Sequence, residues 1–150
     1  MLVWGCNMKK KILIIDDDYH SARFLAKRLR TINYEVMVAD DGDQGMQKAK
    51  EITPDLILLD MIMPRLSGIE VFEQLKQLDA TKQIPVIFMA AHPTSDIRKL
   101  VFKMGAKDII TKPFLSKDFE LTIEMVINNY NLSETNHQHL KNSVETPSTK

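Results

Sequence analysis

"PDLILLDMIMPRLSG", residues 54–68, carries the decision about the fold. Leu56, Ile57, Leu58 and Leu59 are apolar at consecutive positions, so a strand built from them is apolar on both faces. A parallel sheet covered by helices on two sides requires such strands. Asp60 follows the run, then Met61 and a loop containing Pro64. A carboxylate at the end of such a strand is expensive to bury unless something uses it.

The same pattern extends in both directions. "KILII" (11–15), "YEVMVA" (34–39), "DLILL" (55–59), "PVIFMA" (85–90) and "DIIT" (108–111) read as strands. Helical periodicity fills the gaps. Ala22, Leu25, Ala26 and Leu29 mark 20–32, and Met46, Ala49 and Ile52 mark 43–52 more weakly. Gly68, Val71, Phe72 and Leu75 mark 67–79, and Ile97, Leu100, Val101 and Met104 mark 95–104. Phe119, Ile123, Val126, Ile127 and Tyr130 mark 116–130. Ser67, Ser95 and Ser116 stand where N-caps belong, Asp18 is a further cap, and Gly105 sits where a helix ends. Five β-α units in succession predict an α/β fold, with a parallel sheet, right-handed crossovers and helices on both faces.

Composition narrows the class. The 150 residues suit one domain with a real core, and 20 basic residues balance 20 acidic ones. No global field draws this chain to nucleic acid or to an anionic membrane. A lone cysteine, Cys6, excludes an internal disulfide and a cysteine-based zinc site, and fits a reducing, cytoplasmic setting. No apolar run is long enough to span a bilayer, and the opening residues lack the order of a signal peptide. Residues 1–8 read as an N-terminal extension, with Met8 a second candidate start, 9–130 as the domain, and 131–150 as a polar tail.

In a parallel sheet of this kind, ligands bind beyond the carboxyl ends of the strands. Asp16 and Asp17 follow the first strand, Asp60 the third, and Lys112 the fifth, just before Pro113. Each is weak evidence alone. Together they place three acids and a lysine on one rim.

"ILIIDDD", "LILLDMIMPRLSG" and "DIITKPF" resemble the response regulator receiver domain of two-component signalling, over roughly residues 9–130. The resemblance implies a flavodoxin-like fold with strand order 2-1-3-4-5 and a cis Lys112–Pro113 bond. It also implies that Asp60 accepts a phosphoryl group from a histidine kinase or phosphotransfer protein. Clustered carboxylates repel, by about 4 kcal/mol for unit charges ~4 Å apart at an effective dielectric near 20. Mg²⁺, or Mn²⁺ in its place, would relieve that repulsion. The expected ligands are Asp17 and Asp60 directly, Asp16 through water, and the backbone carbonyl of Ile62. Three acids, a divalent cation and Lys112 then sum to zero charge. Lys112 and the backbone N–H of Ala91 would meet phosphoryl oxygens, with Asp60 as nucleophile. An isolated acid at such a place more often caps a helix or closes a turn, and the alignment of all four residues is what favours the acceptor role.

The chain departs from the family at the switch. A hydroxyl residue usually ends the fourth strand, and an aromatic residue usually stands in the fifth. Ala90 and Ile109 hold those positions. Two further positions tune the lifetime of the acyl phosphate in the family, and here they are Ile62 and His92. Ile62 would shield the site from water, while a loop histidine such as His92 is more often simply solvated. Thr94 and Ser95 offer nearby hydroxyls, for which capping is the preferred reading.

Other features read as ordinary: Lys9–Lys11 as a solvated strand entry, His137 and His139 as tail residues, the methionines as packing. No Gly-rich phosphate loop supports nucleotide binding. The expected function is therefore a phosphoacceptor that assists its own phosphorylation and dephosphorylation without turning over a separate substrate. Its output would pass through a protein docking near the fourth helix, fifth strand and fifth helix, and a homodimer is compatible with this. No nucleic-acid or membrane partner is expected. The alternative is a receiver-like binding module that does not switch on phosphorylation, supported by Ala90 and Ile109. A phosphatase with an aspartate nucleophile would need an acid where Ile62 stands.

Overall fold

The computed structural model describes residues 8–114 and 117–129. Its elements alternate along the chain: β1 (Lys11–Ile15), α1 (Tyr19–Thr31), β2 (Glu35–Ala39), α2 (Gly42–Ile52) and β3 (Leu56–Asp60). There follow α3 (Gly68–Gln77), β4 (Val86–Ala90), α4 (Ser95–Met104) and β5 (Asp108–Thr111). A final helix, α5, spans 118–129. The five strands are parallel, in the order β2-β1-β3-β4-β5. This is the α/β arrangement that the sequence pattern predicts, in the flavodoxin-like strand order that the resemblance implies.

Strand alternation divides the core into two layers. Leu13, Ile15, Ile57, Leu59 and Phe88 face one way, against Ala49 of α2, Val71, Phe72 and Leu75 of α3, and Val101 of α4. Ile12, Ile14, Leu56, Leu58, Ile87 and Met89 face the other way. They pack on Ala22, Leu25, Ala26 and Leu29 of α1, and on Phe119, Ile123 and Ile127 of α5. Every residue of β3 and β4 is buried, as the run 56–59 requires of a central strand. Each such aliphatic side chain contributes about 1.5–3 kcal/mol on leaving water.

Local signals set the helix ends. Asp18 accepts from His20 N–H and Ser21 N–H and so caps α1. Ser67 and Glu70 form a reciprocal capping box at the start of α3. Gly105 ends α4 at φ 107, a left-handed conformation that suits glycine. One cap differs from the sequence reading. Thr94, not Ser95, caps α4, and its hydroxyl accepts from Ile97 N–H at 3.2 Å. Thr94 is still extended, with ψ 163, so its hydroxyl faces the third helical residue, while Ser95 already belongs to the helix. The strand read from Tyr34 begins at Glu35, because Tyr34 N–H closes the end of α1 on Leu29 O. Ser116, Cys6, His137, His139, Tyr130 and the segments 1–7 and 131–150 lie outside the described residues.

Candidate functional site

Strand order reverses at β1, whose neighbours are β2 on one side and β3 on the other. Ile15 pairs with Leu59, so the next residues of the two strands, Asp16 and Asp60, emerge side by side. Asp17 follows, with its side chain exposed. One carboxylate oxygen from each of Asp16, Asp17 and Asp60 lies within 4.8 Å of the others. Lys112 arrives from the end of β5, its N–H held on Ala90 O at 2.8 Å. Its Nζ sits 2.6 Å from Asp16 Oδ2 and 3.3 Å from Asp60 Oδ1. The Lys112–Pro113 peptide is cis, as the resemblance implies. The structure thus brings together all four rim residues picked out in the sequence.

Burial makes this cluster electrostatically tense. Asp16 is 1% exposed and Asp60 8%. Asp16 is satisfied on both oxygens, Oδ1 accepting from Asp18 N–H at 2.9 Å and Oδ2 from Lys112. Asp60 is pushed up to about 7, first by burial and then by the negative charge of Asp16, with Lys112 pulling the other way. Burial alone would lower Lys112, but its hydrogen bond to Asp16 and the charges of Asp16 and Asp60 outweigh this, and its net direction is up. One lysine therefore does not neutralise the acids. A set of hard carboxylate oxygens with unbalanced negative charge suits a hard divalent cation, so the residues present fit Mg²⁺.

The remaining predicted positions lie around this centre with less contact to it. Ile62 stands two residues after Asp60 and is 82% exposed, so its side chain stands in solvent at the rim instead of covering the acids. Ala91 and His92 are exposed in the loop after β4. Ala90 ends β4 and pairs with Thr111 of β5. Ile109 is buried in the layer beneath α3 and α4 and makes no part of the acid cluster.

Two contributors escape a reading of the sequence alone. Gly68, read there only as part of an apolar stripe, lies against the end of β3. A Cβ placed on it would come within 2.2 Å of Asp60 O and 2.8 Å of Met61 Cα. The available signal was a glycine in the first turn of a helix, where it is entropically costly without a packing reason. Arg65, at φ 68, is a non-glycine residue in left-handed backbone within the same loop, and it pairs with Asp41 at 3.6 Å. No pattern of residue types announces that.

Comparison with known proteins agrees with this geometry. The family model described as the response regulator receiver domain matches residues 12–124. The alkaline phosphatase synthesis transcriptional regulatory protein PhoP of Bacillus subtilis is 34% identical over 120 residues, covering 80% of this chain and 49% of that protein. A probable transcriptional regulator, ycf27, of Porphyridium aerugineum is 35% identical over 135 residues, covering 90% of this chain and 55% of that protein. The chain thus spans about half the length of these curated relatives. Among solved structures, a response regulator receiver domain protein from Clostridium thermocellum superposes with a TM-score of 0.75 at 30% identity, covering 82% of this chain and 98% of that one. Among the described residues no helix is long and apolar enough to cross a membrane. The chain belongs to the response regulator receiver domain family, whose members are signalling domains of two-component systems and not substrate-turnover enzymes.

Proposed function

We propose that this domain is a phosphoacceptor that takes a phosphoryl group onto Asp60 from the phosphohistidine of a histidine kinase or phosphotransfer protein. The observation that carries the reading is the meeting of Asp16, Asp17 and Asp60 with the Lys112 ammonium at one sheet end. In this reading an Asp60 carboxylate oxygen attacks phosphorus, and the phosphorus–nitrogen bond breaks with its electron pair going to the imidazole. Lys112 moves charge toward a phosphoryl oxygen, and Ala91 N–H donates to another. Asp17, Asp60, the Ile62 carbonyl and, through water, Asp16 would hold Mg²⁺ or Mn²⁺. The ion would supply charge neutralisation for both the acids and the phosphoryl group. The same residues, with exposed Ile62 and His92 at the rim, would set how fast water removes the phosphoryl group. Residues 9–130 form the signalling unit, the setting is cytoplasmic, and output passes to a protein docking near α4, β5 and α5.

A second reading is favoured by one observation. Ala90 carries no hydroxyl, and Ile109 is already packed in the core with 5% exposure. A relay from hydroxyl to swinging aromatic side chain has neither part. The domain would then present a binding surface that phosphorylation leaves unchanged.

The test is intact mass after incubation with Mg²⁺ and acetyl phosphate. Wild type should gain one phosphoryl group and Asp60→Asn none; equal labelling of both would end the acceptor reading. Amide exchange on the labelled protein then separates the two readings. Changed protection in 91–104 supports a switch, and an unchanged map supports the binding module.

A further inference from the structure

Among the described residues β2 is an end strand of the sheet, with β1 on one side and no strand on the other. Backbone groups along a strand alternate between its two sides. Glu35 N–H donates to Lys10 O, and Ala39 O accepts from Asp16 N–H, so the odd-numbered residues of β2 face β1. The carbonyls of Val36 and Val38 therefore face the open side. Both are occupied by cations: Arg30 Nη2 donates to Val36 O at 2.9 Å, and Lys48 Nζ donates to Val38 O at 2.7 Å. Arg30 belongs to α1 and Lys48 to α2, helices on opposite faces of the sheet. The two side chains close over the strand edge from both sides.

An uncovered edge is a template for another strand, and lysine at the edge is one known way to blunt it. The segment is suited to pairing. "EVMVA" is rich in β-branched and apolar residues, and its only charge is at Glu35. An antiparallel pair of two such strands centred on Met37 would set Glu35 opposite Ala39, with no like charges facing. A two-fold contact of that kind presents the same segment to itself, so a second copy of the chain is the natural occupant.

We propose that Arg30 and Lys48 form a two-sided clasp that keeps β2 of one copy from pairing with β2 of another. The clasp leaves the inward ladder to β1 intact and removes the outward acceptors from use. Partners at this end of the sheet must then bind through side chains and not by strand addition.

The test compares wild type with the double variant Arg30→Gln, Lys48→Gln by sedimentation velocity over a range of concentrations. Amide exchange is read on the associated species, with circular dichroism as a folding control. Self-association roughly tenfold or more tighter than wild type, with protection gained at 36–38, is expected. The charge-conserving pair Arg30→Lys, Lys48→Arg should behave as wild type. Association no stronger than wild type, or new protection confined to other elements, would overturn the proposal. If the double variant fails to fold, each single glutamine variant should associate to an intermediate degree, and single variants matching wild type would equally overturn it.

Discussion

Lys112 Nζ lies closer to Asp16, at 2.6 Å, than to Asp60, at 3.3 Å. The lysine is anchored on the fully buried acid and only leans on the proposed acceptor. Removing it strands a carboxylate that is 1% exposed. Lys112→Met should destabilise the domain by about 2–4 kcal/mol at pH 8 without divalent metal, because breaking one partner of a buried pair leaves an uncompensated charge. Urea unfolding measures this, and millimolar Mg²⁺ should recover part of the loss.

The position of Asp60 predicts a pH dependence of definite sign. Its folded value is raised from 3.8 to about 7. A raised folded value means that the native state holds the proton more tightly than the unfolded chain does. The associated stability is present below about pH 4 and is lost as pH climbs through 7. Metal-free wild type should therefore lose about 1–3 kcal/mol relative to Asp60→Asn between pH 4 and pH 8. Parallel denaturant titrations of the two proteins at several pH values give the difference directly. A flat difference would show that Asp60 is not strained.

Divalent metal should reverse that loss. At pH 8, Mg²⁺ at tenfold its dissociation constant adds about 1.4 kcal/mol to stability. The thermal shift should shrink in Asp17→Asn and in Asp60→Asn. It should also shrink at pH 5 in wild type, where protons compete for Asp60. Differential scanning fluorimetry with Mg²⁺, Mn²⁺ and a sodium control separates ligation from ionic strength.

Gly68→Ala should be costly at a position with no chemical group to lose. Its new methyl would overlap Asp60 O and Met61 Cα, both backbone atoms that cannot rotate away. A loss of about 2–3 kcal/mol is expected from the forced backbone shift. Phosphoryl uptake from acetyl phosphate should slow more than in Gly105→Ala. Nothing lies within 4 Å of a Cβ at Gly105, and the penalty there is only that of a φ of 107.

The layered architecture was legible because it rests on patterns a chain cannot hide. Continuous apolar runs such as 56–59 demand burial on two faces, and the stripes of α1 and α3 demand a sheet to cover. The rim was legible because strand ends in a parallel sheet share one side, so Asp16, Asp60 and Lys112 needed no coordinates to be grouped. Contacts between backbones were not legible. Gly68 against Asp60 O depends on how a loop returns, and the covering of Val36 O by Arg30 on the rotamer of a long side chain. The choice of Thr94 over Ser95 as cap turned on a single ψ angle, which residue type does not fix.

Asp16 and Lys112 are separated by 96 positions in the chain, yet they share a 2.6 Å contact. During synthesis the acids emerge from the ribosome long before the cation that tempers them. A nascent chain lacking β5 carries the carboxylates without the lysine that partly offsets them. The tempering of the acids is thereby tied to completion of β5, from whose end Lys112 reaches Asp16.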